Sequence, residues 1–395
     1  MLEIFQNRFY NLLNNLNITY KRYLFNKIDF SEKLIGIIGA RGVGKTTLLL
    51  QYLKENSLPL NKKLYVNAEF LEYSSLRIFD FAEEFEKRGG KLLVIDEIHK
   101  YPNFEKELKL IYDTLNLQVI FTGSSAIKLE HSKADLSRRS VIYKMNNLSF
   151  REFIELKTNI NLPFFKLEDI LEKHIEIAFE LAKKFKPFEF FEEYLKFGAY
   201  PFYFENKNNY YLKLQESINA TIEFDLPFIF DIKPVNTIKL KKLVYLICTS
   251  APFELNITKL AQKIEINRNT LYQYLYYLAK GDVFILLDSK TRGDNIFVKP
   301  QKIYLKNPNL NYCYCDIQQI GTIKETFFAN QLFEHQLLYP NRGDFLVDNA
   351  YVFEIGGKNK TIKQIKNIEN SYLVIDDIEI GSENKIPLWL FGFLY

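Results

Sequence analysis

Five short apolar runs punctuate the first third of the chain: Lys33–Ile38, Lys63–Asn67, Lys91–Ile95, Leu117–Thr122 and Val141–Met145. Each has the length of a buried strand, and helical patterns separate them. Alternation of this kind predicts a mostly parallel sheet covered by helices. Residues 1–30 pattern as a helical lead-in. Residues 151–235 are helical by pattern, with aromatic stretches such as Phe188–Phe191. Residues 236–305 change to short helices and then a hairpin, and 306–395 mix a helix with strands. The last ten residues, Ile386 to Tyr395, are apolar but too short for a membrane span and predict a buried strand. No internal repeat or low-complexity linker breaks the pattern.

Composition changes this picture little. A chain of 395 residues has room for two to four domains. The formal charge of +4 is nearly balanced and by itself does not argue for nucleic acid. Lysine, asparagine, isoleucine, phenylalanine and tyrosine abound, which reads as AT-rich coding bias, so scattered lysines carry little weight. Three cysteines (Cys248, Cys313, Cys315) suggest neither a disulfide framework nor a zinc set. Cys313-Tyr314-Cys315 would put both thiols on one face of a strand, and core packing is the preferred reading. The start lacks a charged-then-apolar signal pattern. A reducing cytoplasm, with no membrane partner, is the expectation.

The chemistry concentrates after the first strand. Residues 39–46 read Gly-Ala-Arg-Gly-Val-Gly-Lys-Thr, between the run Leu34–Ile38 and the helical Thr47–Gln51. Strand, G-x-x-x-x-G-K-[ST], helix is a phosphate-binding P-loop in its expected setting. Gly39, Gly42 and Gly44 let the backbone wrap a polyphosphate. The amides of Ala40, Arg41, Val43 and the helix start through Thr47 then face the phosphate oxygens. Lys45 reaches the β- and γ-phosphates, and Thr46 holds Mg²⁺. ATP and Mg²⁺ are the expected ligands.

A second strand, Lys91–Ile95, ends in Asp96-Glu97. Asp96 stands where a second group is needed to anchor Mg²⁺ beside Thr46, and Glu97 is the natural general base for water attack. This order favours water-activating ATPases over kinases and GTPases. Thr122 or Ser124, at the end of the next strand, can orient the γ-phosphate and the water; a Ser/Thr turn capping a helix is the alternative. Arg138 or Arg139 could supply charge to a transition state, in cis or to a neighbouring subunit, or form a solvated pair. His99 reads as packing.

Together these pieces resemble a prokaryotic group of AAA-type ATPases with a multi-domain tail. The matching features are the P-loop, Leu93–Lys100 with Pro102 and Phe104, and Thr122–Ser125. Leu136-Ser137-Arg138-Arg139, Leu148–Phe153 and Tyr194–Pro201 also match. The group usually reads Leu-x-Gly-Arg where this chain has Leu136–Arg139, and Arg139 keeps the arginine position. The resemblance implies an α/β chain in five parts. A lead-in (1–30) precedes an AAA-like P-loop core (31–155). A helical lid (156–235), a winged helix-turn-helix (236–305) and a small nuclease-like α/β domain (306–395) follow.

The sequence of the fourth part fits a winged helix. Thr237–Thr249 and Thr258–Ile264 read as helices, and Asn267 can cap a third, Arg268–Lys280. Leu271, Leu275 and Leu278 share its core face, with Arg268, Gln273, Tyr277 and Lys280 opposite. Strands Val283–Leu287 and Ile296–Ile303 would form the wing, with Lys290 and Arg292 at its tip. DNA is the candidate partner, and packing against the ATPase is the alternative.

In the fifth part, Glu325 on a helix (Thr322–Leu338), Asp348 ending one strand and Glu354 in the next resemble the metal cradle of PD-(D/E)XK nucleases. Such a cradle needs a lysine two residues after the glutamate. Gly356 stands there, and Lys358 comes two positions late. A degenerate nuclease fold that binds a partner or nucleic acid is the preferred reading. The alternatives are an ATP-regulated nuclease in genome defence and an ATP-switched scaffold that never touches DNA.

Overall fold

The computed structural model describes residues 2–17, 19–123, 136, 138–248, 257–289 and 300–395. The chain divides into two compact units, Met1–Asn146 and Asn147–Tyr395.

In the first unit, β1 (Leu34–Ile38), β2 (Lys63–Asn67), β3 (Leu92–Asp96), β4 (Gln118–Gly123) and β5 (Val141–Lys144) form one sheet. Its order is β2-β3-β4-β1-β5 and every pair is parallel. The five expected strands are therefore present within a residue or so of each end. β1 and β3 are buried at every position, as uninterrupted apolar runs require in a parallel sheet covered on both faces.

Among the described residues, helices α1 (Leu2–Asn14), α2 (Lys45–Glu55), α3 (Ala68–Tyr73), α4 (Ile78–Lys87) and α5 (Phe104–Thr114) accompany the sheet. α4 buries Ile78, Phe81, Ala82 and Phe85, an i, i+3, i+4, i+7 stripe. α1 buries Leu2, Phe5, Phe9 and Leu13, and the Phe5 ring meets Phe81 edge-on at 5.0 Å. Each such side chain contributes about 2 kcal/mol of burial.

Parallel pairing brings the strand ends together. Ile38 lies beside Gly123, Ile95 beside Phe121 and Asn67 beside Asp96. The residues that follow β1, β3 and β4 therefore meet at one edge, where ligands bind in open α/β sheets.

The second unit begins with helices Phe150–Thr158, Leu167–Ala182, Pro187–Phe197 and Tyr210–Ala220. Ser149 and Glu152 cap the first with a reciprocal capping box. Phe150 sits at the centre of an aromatic cluster with Phe185, Phe191, Tyr194 and Phe393. Helices Pro234–Cys248, Ile257–Lys263 and Arg268–Lys280 come next, followed by the antiparallel pair β6 (Phe284–Ser289) and β7 (Lys302–Leu305). Helices Pro308–Tyr314 and Ile320–Gln331 precede β8 (Leu337–Tyr339), β9 (Phe345–Val347), β10 (Tyr351–Gly356), β11 (Ser371–Ile375) and β12 (Lys385–Pro387).

Several expectations are corrected here. The sheet runs β12-β11-β10-β9-β8-β6-β7, because β6 pairs with β8 through Asp288–Leu338 and Ser289–Tyr339. The expected boundary at 305/306 therefore cuts a continuous sheet. Cys313-Tyr314-Cys315 is no strand: a helix ends at Tyr314, and Cys248 is disulfide-linked to Cys315 with Cα atoms 5.0 Å apart. Cys313 is a free thiol, its pKa pushed up to about 11 by burial. The expected helix Thr322–Leu338 stops at Gln331, and β8 takes its last residues. The C-terminal strand is three residues long, followed by a buried 3-10 turn, Leu388–Phe393. That turn is held where Ser149 Oγ and Arg151 Nε each donate to the Tyr395 carbonyl at 2.9 Å.

Candidate functional site

The loop between β1 and α2 is shaped by its glycines. Gly42 and Gly44 have φ of 77° and 100°, in the left-handed region that L-residues avoid. Gly39 is pressed against the segment after β5: a Cβ there would lie 2.3 Å from the Met145 carbonyl oxygen. Lys45 is buried, and its ammonium donates to the carbonyls of Gly39 and Ala40 at 2.8 Å each. The lysine is thus folded back over the loop that carries it.

Asp96 is the hub of the edge. It is 2% exposed and accepts from Thr46 Oγ1 at 2.7 Å and from the Tyr65 hydroxyl at 2.6 Å, both on Oδ2. Its Oδ1 accepts from Thr122 Oγ1 and, at 3.1 Å, from the Glu97 amide. The same amide lies 3.1 Å from Thr122 Oγ1. Thr46, Asp96, Glu97 and Thr122, far apart in sequence, are therefore one hydrogen-bonded group. Burial, then Asp96, pushes the Tyr65 phenol far above its usual range, so it stays a donor to the carboxylate.

Glu97 takes a left-handed backbone, φ 54° and ψ 40°, which turns the chain sharply after β3. Its Oε2 is buried without a hydrogen-bond partner, 3.5 Å from His99 Nε2. A buried carboxylate oxygen without a hydrogen bond is costly, and this one is left to accept from a further proton donor. The oxygen donors of Thr46 and Asp96, 2.7 Å apart, suit a hard cation such as Mg²⁺.

Two contributors were not legible in the sequence. Tyr65 reaches Asp96 from β2, and the β2–β3 pairing that brings it there is not encoded in either strand alone. Arg22, 5% exposed, donates to the Val43 carbonyl in the loop and to the Asn146 carbonyl at 2.9 Å. A buried arginine in the lead-in braces the loop from outside its motif.

Arg139 is not brought to this edge. It precedes β5, whose first residue Val141 pairs with Ile35, so it stands at the opposite end of the sheet. There it clamps Asp113, with Nε–Oδ1 at 2.8 Å and Nη2–Oδ2 at 3.1 Å. A role in cis at the phosphates is excluded. Ser124, Ser125, Ser137, Lys290 and Arg292 lie outside the described residues.

In the second unit the expected carboxylate cradle is rearranged. Glu325 and Glu354 line a cleft of about 600 Å³, but the aspartate with them is Asp344, not Asp348. Asp344 accepts from the Ile355 amide at 2.9 Å, while Asp348, half-exposed, accepts from the Gln336 amide and pairs with His335 Nδ1 at 2.6 Å. Lys358 is exposed in the turn after β10. Lys360 instead folds back to pair with Glu354, its stem lying against Gly356 where a side chain at that position would begin.

Comparison with known proteins agrees with the first unit. Residues 31–154 match a family model described as an AAA domain, and residues 188–322 match one described as a domain of unknown function, DUF8612. An uncharacterized protein, MJ1637, of Methanocaldococcus jannaschii is 27% identical over 419 aligned residues, spanning 95% of this chain and 88% of the relative. Two solved structures match at 14% identity and a TM-score of 0.26, covering 70% of this chain and 88% of each of theirs. They are AMPPCP-bound DnaA from Aquifex aeolicus and a DNA replication initiation factor. A TM-score of 0.26 carries no argument about this chain. Among the described residues no helix is long and apolar enough to cross a membrane. Loop, strand order and family model agree that residues 31–154 have a P-loop fold of AAA type.

Proposed function

We propose that the chain is a Mg²⁺-dependent ATPase whose nucleotide cycle drives a C-terminal binding unit. The observation that supports this best is the Thr46–Asp96–Glu97–Thr122 group beside the loop, with one Glu97 oxygen left unbonded. The loop amides and Lys45, released from its own carbonyls, bind the β- and γ-phosphates. Thr46 and Asp96 would hold Mg²⁺, which would supply charge neutralisation at the phosphates. Glu97 Oε2 takes the proton of the attacking water, and Thr122 fixes the turn that aims it. Arg139 is left to the site of a neighbouring copy.

Glu97→Gln tests this. ATP affinity should stay within about twofold, while turnover falls by about 10²-fold or more. Persistent turnover would remove Glu97 from the mechanism.

The partner of the C-terminal unit is proposed to be a protein rather than DNA. Tyr277, expected on the outer face of its helix, is stacked on Phe230 with ring centroids 3.8 Å apart. Arg268, Gln273 and Lys280 remain on that face, a sparse cationic set for phosphate contacts. ATPase rate with and without duplex DNA, across a salt series, separates the two. Stimulation that falls steeply with salt would favour DNA.

A further inference from the structure

The nuclease-like arrangement of Glu325, Asp344 and Glu354 implies a divalent cation, and the residues present do not fit one. Lys302 is 1% exposed, and its Nζ lies 3.0 Å from Asp344 Oδ1 and 3.3 Å from Glu325 Oε2. These are ion-pair lengths, well beyond the roughly 2 Å of a magnesium–oxygen bond. The same Glu325 oxygen accepts from the Tyr304 hydroxyl. Asp344 Oδ2 is taken by the Ile355 amide at 2.9 Å. Glu354 is paired with Lys360, and the Gln364 amide, turned to satisfy it, donates to Oε2 at 2.8 Å.

Charge leads to the same place. Three carboxylates face two ammonium groups, so a further divalent ion would meet Lys302 as a like charge at close range. Among the described residues, no three carboxylate, histidine or cysteine side chains form, as they now stand, a set that could hold a metal. Burial, then the neighbouring Asp344, raises the Glu325 pKa, while Lys302 pulls it back. The lysine arrives by strand geometry: Lys302 and Tyr304 are two apart on β7, on one face, and both reach Glu325.

We propose that the Lys302 ammonium stands where a nuclease-like cradle would hold its metal, so that the C-terminal unit works without a divalent ion. The tethered cation ties the β6–β7 pair to helix Ile320–Gln331 and to the start of β9. The cradle thereby becomes a structural joint rather than a hydrolytic centre. Lys360 neutralises Glu354 in the same arrangement.

Removing the lysine should vacate the cation position. Mn²⁺ binding to the full chain without nucleotide, followed by electron paramagnetic resonance, reads this directly. Up to about 1 mM Mn²⁺, wild type should show no binding that Asp344→Asn abolishes. Lys302→Met should gain about one Mn²⁺ per chain, and adding Asp344→Asn should remove that gain. If Lys302→Met does not fold, Lys302→Gln keeps a polar group at similar reach and serves in its place. The wild-type measurement decides without either variant. Wild-type Mn²⁺ binding lost in Asp344→Asn would overturn the proposal, as would folded lysine variants that gain no ion. Wild-type cleavage of plasmid or linear DNA that requires Mn²⁺ and Asp344 would overturn it equally. The P-loop site is untouched by these substitutions, so ATP turnover reports separately on the proposed function.

Discussion

Replacing Arg22 by methionine should loosen the phosphate loop although residue 22 lies outside its motif. The guanidinium donates to two carbonyls, Val43 in the loop and Asn146 after β5, from a position 5% exposed. Methionine keeps much of the buried stem and removes every donor. Hydrogen bonds from a charged donor contribute about 1.5–3 kcal/mol each, so two of them bound the loss at about 3–6 kcal/mol. Water entering beside the carbonyls brings the expected value to the lower end, about 3 kcal/mol. For a unit of this size that lowers the melting temperature by roughly 6–12 °C. Arg22→Lys, whose ammonium can satisfy one carbonyl at a time, should lose about half as much. The assay is thermal unfolding without nucleotide, paired with titration of a fluorescent ATP analogue. Arg22→Met should weaken analogue binding as well as lower the melting temperature, because the carbonyl set free belongs to the loop. A variant within about 0.5 kcal/mol of wild type, with unchanged nucleotide affinity, would refute the bracing role.

Two further outcomes follow from contacts in the structure. Gly39→Ala drives a methyl to 2.3 Å from the Met145 carbonyl oxygen, so loop or neighbour must move. ATP affinity by calorimetry should fall about tenfold or more, and an unaltered affinity would count against the close approach. Glu193 is opposed by burial but held by Lys157, by Lys207 at 2.8 Å and by the Tyr203 hydroxyl at 2.5 Å, which lower its pKa to about 2. A carboxylate depressed in the folded state adds stability above its unfolded pKa and loses it as pH falls through the folded one. The contribution, cut by solvent screening at the exposed lysines to about 1 kcal/mol, should therefore vanish between about pH 4.5 and pH 2. Denaturant melts of Glu193→Gln should be weaker than wild type at neutral pH and converge with it in acid; parallel curves would show that the cluster contributes nothing.

Where the sequence was readable, one element carried its own signal. The strands of the parallel sheet are continuous apolar runs, and each chemical residue stands at or just after a strand end, so motif and topology agree. Asn267 caps its helix as expected, accepting from the Thr270 amide at 2.8 Å, and Leu271, Leu275 and Leu278 are buried. Failures came where two elements had to be paired first. Asp344 and Asp348 flank the same three-residue strand, and periodicity cannot choose between them. The hairpin register can: Phe345 faces Phe353 and Val347 faces Tyr351, so the residue before β9 lies beside Glu354 and the residue after it is in the turn. Lys302 and Cys248 meet partners 42 and 67 residues away, contacts that no local window contains.

The seven-stranded sheet also limits how this chain can be divided. A fragment ending at 305 would leave β6 without β8, its Asp288 and Ser289 backbone groups unpaired along a bare edge. It would also strand the Lys302 ammonium in the interior without Glu325 or Asp344. A fragment starting at 306 would carry the two carboxylates with no counter-charge from β7. Neither half is a self-sufficient folding unit, so the three-helix segment cannot be lifted out as an interchangeable reading head. Shuffling during evolution, like truncation at the bench, should fail at 305.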